Sequence, residues 1–367
     1  MPIIMIACLG LTCHCTKLMI ELADEFGESY SEIAMAAYGN KMRIFTEGLI
    51  IASQLAFCTN YIYFISSSMG SVINCARSGA DPATCSVATE VFNGVNLWYF
   101  MPVLMLIYVP LVWIRNMEKL AFTHVIADLI ILVTVVTLLV YGGINISEKG
   151  ATVNPLFTNR SYIAVSYSAL AFEGIAVVMP LRLIAADQKR FFRHFCVTVL
   201  GICFLYIFFS EFNNFAYGSM ANYILITNAL PSQSMVTYIL KSIYTVNLFF
   251  TYPLQMSPAV NLIEGFIFEE NKKPTQGRVW TQNLIRTLLV AFTITLALVV
   301  YNYIGVFLAV IGASTCSPLA FTLPCLFHWK LKSHSKLNLA IVILTSVLTV
   351  FMVIQSILDL IKELEAA

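Results

Sequence analysis

The sequence predicts an all-α integral membrane protein. Of its 367 residues, 59% are hydrophobic and only 11% are charged, whereas an ordinary soluble domain carries roughly 25% charged residues. The charges are also clumped, so that apolar blocks of about 20 residues, each long enough to cross ~30 Å of hydrocarbon, alternate with short polar connectors. This pattern predicts one membrane domain over residues 1–367 and no soluble domain.

Ten apolar blocks are predicted to form helices. They cover residues 2–22, 43–69, 97–114, 120–142, 161–184, 194–217, 232–266, 285–303, 305–327 and 337–361. The first block lacks a basic leader and a small-residue cleavage pattern, so it is predicted to span the membrane rather than to act as a signal peptide. The seventh block is too long for one straight span. It contains Pro253 and Pro258, which predict a kink or a break.

The distribution of basic residues indicates the topology. Fifteen of the 21 lysines and arginines fall in one set of alternating loops, and only Arg77, Lys149 and Arg160 fall in the other set. Because Lys and Arg concentrate on the cytoplasmic side, both ends of the chain are predicted to lie outside. The net charge of +1 and the absence of a basic patch interleaved with aromatics give no reason to expect nucleic-acid binding.

Two features of the predicted outside loops agree with this topology. Cys75 and Cys85 could close a disulfide in an oxidising compartment, and two free thiols are the alternative. Asn145 and Asn159 begin Asn-X-Ser sequons and are candidate glycosylation sites, although both lie close to predicted membrane edges. The other eight cysteines lie in or beside apolar helices, which favours small buried hydrophobes over a metal site. No cofactor is predicted.

Several ionisable residues fall inside the predicted helices, where each is a functional candidate. Glu47 and Glu264 lie near cytoplasmic ends and are expected to snorkel. Asp128 lies deeper, where pairing with a neighbouring helix and an ion site are equally plausible. Glu211 and Lys241 lie towards the outer ends of consecutive helices, and a structural ion pair between them is expected.

The stretch AFEGIAVVMPL, residues 171–181, combines three features that are costly in a membrane helix. Glu173 places a carboxyl group in hydrocarbon, Gly174 weakens the helix and Pro180 removes a backbone hydrogen bond. A discontinuous helix would account for all three, because the backbone groups that it frees can contact a polar solute. A kinked packing helix with a hydrogen-bonded glutamic acid is the alternative.

A series of segments carries a family resemblance. AFEGIAVVMPLRLIAADQKRF has Phe-Glu-Gly, a hydrophobic stretch, Pro-Leu and a basic loop. QLAFCTNYIYFIS and PLVWIRNMEKLA precede it, and AYGSMANYILITNALP, YTVNLFFTYPLQMSPA and IGASTCSPLAFTLPCLFHWK follow it. In this order and spacing, the segments resemble the amino acid/auxin permease family, and its proton-coupled amino acid transporter branch in particular.

The resemblance implies a LeuT-like fold of the APC superfamily, an inverted-repeat bundle of eleven helices with broken first and sixth helices. The block with Glu173 would correspond to the sixth helix and the first block to the second. About ten of the eleven helices would then be present, with the first family helix missing. A truncated gene model would explain this. A degenerate protein, or a protein whose missing helix a partner supplies or covers, is the alternative.

The resemblance also implies a function: secondary active transport of small neutral amino acids, coupled to protons, by alternating access. The matched segments assign substrate-binding roles to Phe172, Glu173, Gly174, Tyr252, Gln255 and Gly312, with Glu173 as the candidate for proton coupling. The membrane would be endolysosomal, vacuolar or plasma membrane. A non-transporting membrane subunit or nutrient sensor is the alternative. An enzyme is disfavoured, because no intramembrane nucleophile and base are paired in the sequence.

Overall fold

The computed structural model describes residues 2–77, 100–115, 118–152, 162–218, 226–230, 234–268 and 275–365. These residues are helices and short connections, with no strand among them. The α-helices are α1 (Pro2–Phe26), α2 (Tyr30–Tyr38), α3 (Asn40–Arg77), α4 (Phe100–Trp113), α5 (Glu118–Lys149), α6 (Ile163–Ala171), α7 (Ile175–Ile184), α8 (Gln188–Tyr217), α9 (Met235–Ile267), α10 (Gln276–Val299), α11 (Ile304–Ile311), α12 (Leu323–Leu331) and α13 (Lys336–Glu365). Between α11 and α12 the chain stays helical through two π-helical segments, Gly312–Cys316 and Pro318–Thr322.

Seven described helices are long and apolar enough to cross a membrane. They are Pro2–Phe26, Asn40–Gly70, Val125–Lys149, Gln188–Tyr217, Gln276–Val299, Tyr301–Leu331 and Lys336–Lys362, and Pro102–Trp113 is a shorter apolar helix. Several predicted blocks therefore match single helices. The prediction of ten spans stays a prediction, because the block 161–184 consists of two short helices and α9 does not meet the same criteria.

The two predictions of interrupted helices had different outcomes. The predicted break beside Glu173 is confirmed, since α6 ends at Ala171 and α7 begins at Ile175. At Pro253 and Pro258, where a kink or a break was predicted, the kink stays a prediction, but the break is wrong, because α9 contains both prolines and continues from Met235 to Ile267. One reason is local: Pro258 cannot donate to the carbonyl of Leu254, but the Ser257 hydroxyl donates to that oxygen at 2.9 Å.

The chain divides into two compact units. Unit 1 comprises residues 1–53, 155–208 and 305–367. Within it, α1 packs against α2, α6, α7 and α12, while α13 packs against α12 and both π-helical segments. The ring of Tyr30 on α2 meets Phe327 on α12 edge to face, with centroids 6.0 Å apart. Unit 1 therefore holds the helix break together with the π-helical segments.

Unit 2 comprises residues 54–154 and 209–304. Within it, α9 packs against α4, α5 and α10, and α4 also packs against α10. Its core is a cluster of buried side chains from α3, α4, α9 and α10: Cys58, Ile62, Ile65, Leu104, Tyr108, Val112, Leu248, Tyr252, Met256, Val260, Val290, Ile294 and Ala297. Hydroxyl groups in these helices bond carbonyls of their own helix, as Thr245 does to Lys241 at 2.8 Å. Such a bond satisfies a hydroxyl group that the surrounding hydrocarbon cannot.

The expectation that Glu47 and Glu264 snorkel is wrong. Glu47 is 2% exposed, and its carboxylate accepts from Arg43 Nε at 2.9 Å within unit 1. In unit 2, the Glu264 carboxylate accepts from Arg286 Nε and from Gln282, each at 2.8 Å. Both carboxylates are held inside the protein because a basic side chain lies within reach, on the same helix for Glu47 and on α10 for Glu264.

The predictions for Asp128 and for the pair of Glu211 and Lys241 stay predictions. Asp128 is exposed on α5 and makes no ion pair among the described residues, so neither reading of it gains support. Lys241 is buried on α9 and Glu211 is half-buried on α8, and the pair between them stays a prediction.

Residues 23–42, treated as a connector in the sequence, contain helix α2. A capping box explains its start, since Ser29 accepts from the backbone of Glu32 and Glu32 accepts from the backbone of Ser29.

The predicted disulfide and glycosylation sites of the outside loops lie largely beyond the described residues. Cys75 belongs to α3, but its side chain and the whole of Cys85 lie outside them, as does Asn159. Asn145 lies inside α5, and its side-chain nitrogen donates to the carbonyl of Ala216 at 2.6 Å. That nitrogen is the atom that a glycan would modify, and here it joins α5 to α8.

Candidate functional site: the helix break in unit 1

The candidate site is built around residues 172–174, which separate α6 from α7. The Phe172 N–H still bonds Ser168 O at 3.1 Å, and the Glu173 N–H bonds Leu170 O at 3.4 Å. The next helical bond joins Val178 N to Gly174 O at 3.1 Å, and no side chain caps the start of α7. The first amides of α7 are therefore available to a bound solute, whereas Ser168 O and Leu170 O near the end of α6 already accept one bond each.

The side chains of the break differ in environment. Phe172 is buried, whereas Glu173 and Gly174 are half-buried. The Glu173 carboxyl makes no hydrogen bond or ion pair among the described residues, although Tyr30 and Cys316 lie within electrostatic range of it. A methyl group at Gly174 would meet no described atom within 4 Å. The break therefore presents an unpartnered carboxyl beside open space.

Gly312 holds the π-helical region close to α6. A β-carbon at this position would lie 2.3 Å from the backbone oxygen of Ser166 and 3.0 Å from its carbonyl carbon. Only glycine allows two helix backbones to approach so closely. The structure places Gly312 at this helix contact, and Cys316, four residues later, is the residue of that segment within electrostatic range of Glu173.

The second π-helical segment receives side-chain donors from two other elements. Tyr30 Oη donates to Leu319 O at 2.8 Å, and Cys15 Sγ donates to Phe321 O at 3.6 Å. The wider turn of a π-helix weakens the regular backbone bonding, and such segments are frequent at functional sites. In this protein α1 and α2 each supply a side-chain donor to a carbonyl of this segment, which connects it to both helices.

The other two predicted substrate residues lie on α9 in unit 2. Tyr252 is fully buried, its hydroxyl lies 2.7 Å from Thr293 Oγ1, and its ring lies 3.9 Å from that of Tyr108. Gln255 is half-buried and its Nε2 donates to Gln54 Oε1 at 2.5 Å. Of the six predicted residues, four thus belong to unit 1 and two to unit 2.

Sequence reasoning missed Tyr30 and Cys316. Both are uncharged and stand far from Glu173 in the chain, so no local pattern connects them to it. The Ser29–Glu32 capping box was a usable signal, because it predicts the helix that positions Tyr30. Nothing in the apolar sequence around Cys316 predicts a π-helical segment.

Comparison with known proteins agrees with this architecture. The sequence profile of the family described as "Transmembrane amino acid transporter protein" matches residues 2–362. The chain is 26% identical over 323 residues to Vacuolar amino acid transporter 3 of Schizosaccharomyces pombe, covering 88% of this chain and 47% of that protein. It is 27% identical over 353 residues to Vacuolar amino acid transporter 3 of Saccharomyces cerevisiae, covering 95% and 49%.

A plant relative is covered more completely. Amino acid transporter AVT3B of Arabidopsis thaliana is 26% identical over 325 residues, covering 86% of this chain and 74% of the relative. The chain spans about half the length of the two fungal relatives. Because the family profile matches nearly the whole chain, this protein belongs to the transmembrane amino acid transporter family, a family of transporters and not of enzymes.

Proposed function

We propose that the chain is a secondary active transporter of small neutral amino acids, coupled to protons, that works by alternating access. The observation that carries the proposal is the half-buried carboxyl of Glu173, which has no partner among the described residues and lies at a helix break. Burying a carboxyl without a partner is costly, so such a group is retained where a ligand completes it.

The break suits an amino acid zwitterion. The first amides of α7 and the positive end of its dipole favour the substrate carboxylate. The Glu173 carboxylate and the last carbonyls of α6 favour its ammonium group. Tyr252 and Gln255 on α9, which the sequence resemblance also assigns to the substrate, already bond Thr293 and Gln54 within unit 2. The proposal therefore rests on the helix break.

A neutral substrate fits the surroundings of Glu173. Tyr30 and Cys316, the described titratable groups within electrostatic range of it, are both uncharged when protonated. A charged substrate side chain would find no opposite charge in them. Phe172 is buried and Gly174 borders open space, so there is room for a small side chain next to the break.

The same carboxyl is the candidate for proton coupling. Without a basic partner in the described residues, Glu173 can be neutralised by a proton or by the substrate ammonium group. The two compete for one carboxylate, so binding of either weakens binding of the other, and this antagonistic linkage couples their movements. The printed names of the fungal relatives contain the word vacuolar, and on that basis the protein is assigned to a vacuolar or endolysosomal membrane.

Uptake by the purified chain in proteoliposomes tests the proposal. Alanine, glycine and proline are expected to accumulate when a proton gradient is imposed, and Glu173→Gln is expected to abolish the response to the gradient. Glu148→Gln is the matched control, because Glu148 is exposed on α5. Its uptake should equal that of the native chain.

Two results would contradict the proposal in different ways. Native gradient dependence in the folded Glu173→Gln variant would remove Glu173 from coupling but leave transport. Saturable amino acid binding without uptake by the folded native chain would favour a sensor or non-transporting subunit.

A further inference from the structure

A second polar cluster in unit 1 shares no residue with the helix break. His14 Nε2 lies 3.1 Å from Asn338 Oδ1, and Asn338 Nδ2 lies 3.1 Å from His328 Nδ1. His328 Nε2 in turn lies 3.3 Å from Glu21 Oε2. These four residues, here termed the imidazole–amide chain, link α1, α12 and α13.

Burial increases towards the middle of the imidazole–amide chain. Asn338 and His328 are buried, His14 is half-buried, and the Glu21 side chain is 36% exposed. The inner groups therefore have little access to water and depend on one another for hydrogen bonds. Glu21 connects the imidazole–amide chain to solvent.

The hydrogen-bond directions fix where protons can be held. His14 Nε2–H donates to the amide oxygen of Asn338, and the amide nitrogen donates to His328 Nδ1, which must then be unprotonated. Neutral His328 consequently carries its proton on Nε2 and donates it to the Glu21 carboxylate. Each of the three contacts then joins one donor to one acceptor.

An additional proton can enter in two ways. It can bind His14 Nδ1 and leave the other bonds unchanged. Alternatively it can bind His328 Nδ1, in which case the Asn338 amide must turn over, so that its oxygen accepts from His328 and its nitrogen donates to His14. In that second state His14 Nε2 must be unprotonated.

The two histidines cannot both be cationic without losing a bond. Each would then direct an N–H at Asn338, whose amide offers an oxygen to one side and an N–H to the other. Two N–H groups would face each other in a buried place, where an unsatisfied donor is costly. We propose that His14 and His328 form one proton-binding site, which Asn338 limits to a single added proton and Glu21 stabilises.

The charges around the imidazole–amide chain come from the packed helices. On α1, Lys17 lies 3.9 Å from Glu21. After α12, Lys332 binds Glu25 at 2.5 Å and is also within electrostatic range of Glu21 and Asp24. From α7, Arg182 pairs with Asp24 and donates to Ile20 O at 3.2 Å, next to Glu21 in the sequence. From α13 and α2, the nearest ionisable groups in sequence are Lys336 at the start of α13 and Tyr30, whose ring meets Phe327.

Proton binding at this site has a structural consequence. When His328 is cationic, its contact with Glu21 becomes an ion pair, which strengthens the connection between α1 and α12. When it is neutral, the contact is an ordinary hydrogen bond. Protonation of the site therefore strengthens the contact between α1 and α12 in unit 1. The inference is independent of the proposed transport, because it involves neither Glu173 nor a substrate.

The experiment is a pH titration of the full chain, labelled with ¹⁵N-histidine and reconstituted in lipid nanodiscs, followed by NMR over about pH 5 to 8, where imidazoles ordinarily titrate. The five histidines can be assigned by single substitutions. We expect His14 and His328 together to take up a single proton in the native chain. In Asn338→Asp, whose carboxylate accepts from both imidazoles, we expect each histidine to take up a proton of its own.

Exposed His334, which meets Trp329 edge to face, is the internal control and should titrate identically in every variant. In His14→Gln, the remaining His328 should hold the whole proton that the native pair shares, so proton uptake by the site is unchanged. Independent titration of His14 and His328 in the native chain, each taking up its own proton, would overturn the proposal. The proposal would also be overturned if His14→Gln took up one full proton fewer than the native chain. That result does not depend on whether Asn338→Asp folds.

Discussion

The backbone oxygen of Ser166 lies 2.3 Å from where a β-carbon at Gly312 would stand. Gly312→Ala should therefore destabilise the protein by about 1–3 kcal/mol or more, because backbone cannot yield as a side chain does. Thermal unfolding of the purified protein in detergent measures this. Gly201→Ala is the control: Gly201 lies inside α8 with no described atom within 4 Å of an added β-carbon, and alanine there should add roughly 0.5–1 kcal/mol. Equal effects of the two substitutions would contradict the close helix contact.

The buried pair of Glu264 and Arg286 should be costly to break from one side. Arg286 also donates to Val112 O at 2.9 Å, so Arg286→Leu leaves a buried carboxylate and should cost about 3–5 kcal/mol. Replacing both residues by leucine should restore much of that stability, since no unpaired charge remains. Arg190 pairs with Asp187 at 3.3 Å on the surface, and Arg190→Leu should cost at most about 1 kcal/mol. A double variant no more stable than Arg286→Leu would argue against this account.

Tyr252→Phe distinguishes a core role from a substrate contact. The hydroxyl is already bonded to Thr293 inside unit 2, so its loss should cost roughly 1 kcal/mol of stability and leave the KM for amino acid uptake unchanged. Thr293→Val should have a similar effect, and the two substitutions together should cost less than their sum. A raised KM in a stable Tyr252→Phe protein would instead assign Tyr252 to the substrate.

The pair of Lys332 and Glu25 should be insensitive to pH over the physiological range. The hydrogen bond to Glu25 raises the pKa of Lys332 above its ordinary 10.5. A raised lysine pKa stabilises the fold fully below the ordinary value, and this contribution is lost only as pH rises through the raised one. The difference in melting temperature between native protein and Lys332→Met should thus be constant between about pH 6 and 9, and it should shrink above pH 10.5. If this difference in melting temperature changes near neutral pH, it does not arise from the pair of Lys332 and Glu25.

Much of the helical framework follows from the sequence because hydrophobic block length is a strong signal in a membrane protein. The break at residues 172–174 was also predictable, since Glu173 and Gly174 both disfavour a continuous apolar helix. Pro253 and Pro258 carried the same kind of signal, but α9 remains helical through them, so that only the kink stays a prediction. One hydroxyl from Ser257 replaces the bond that Pro258 lacks, and no scale of helix propensity includes that contact.

Partners across helices could not be predicted. Glu264 meets Arg286 from another helix, and the direction in which each side chain points depends on packing that the sequence does not display. The same holds for the candidate site: Glu173 stands out in the sequence, but Tyr30 and Cys316 do not. The imidazole–amide chain joins residues more than 300 positions apart, although His14 and His328 are individually visible in apolar helices.

The two π-helical segments also decide how this stretch responds to a change in length. Each π turn contains one residue more than an α turn, and one residue corresponds to about 100° of rotation around a helix. The wider turn accommodates the extra residue, so the helix beyond it keeps the phase of an α-helix that is one residue shorter. Deleting one residue between 312 and 322 should therefore convert a π turn into an α turn and leave His328 facing Glu21. An inserted residue that is not accommodated in this way would instead rotate His328 by about 100° away from α1.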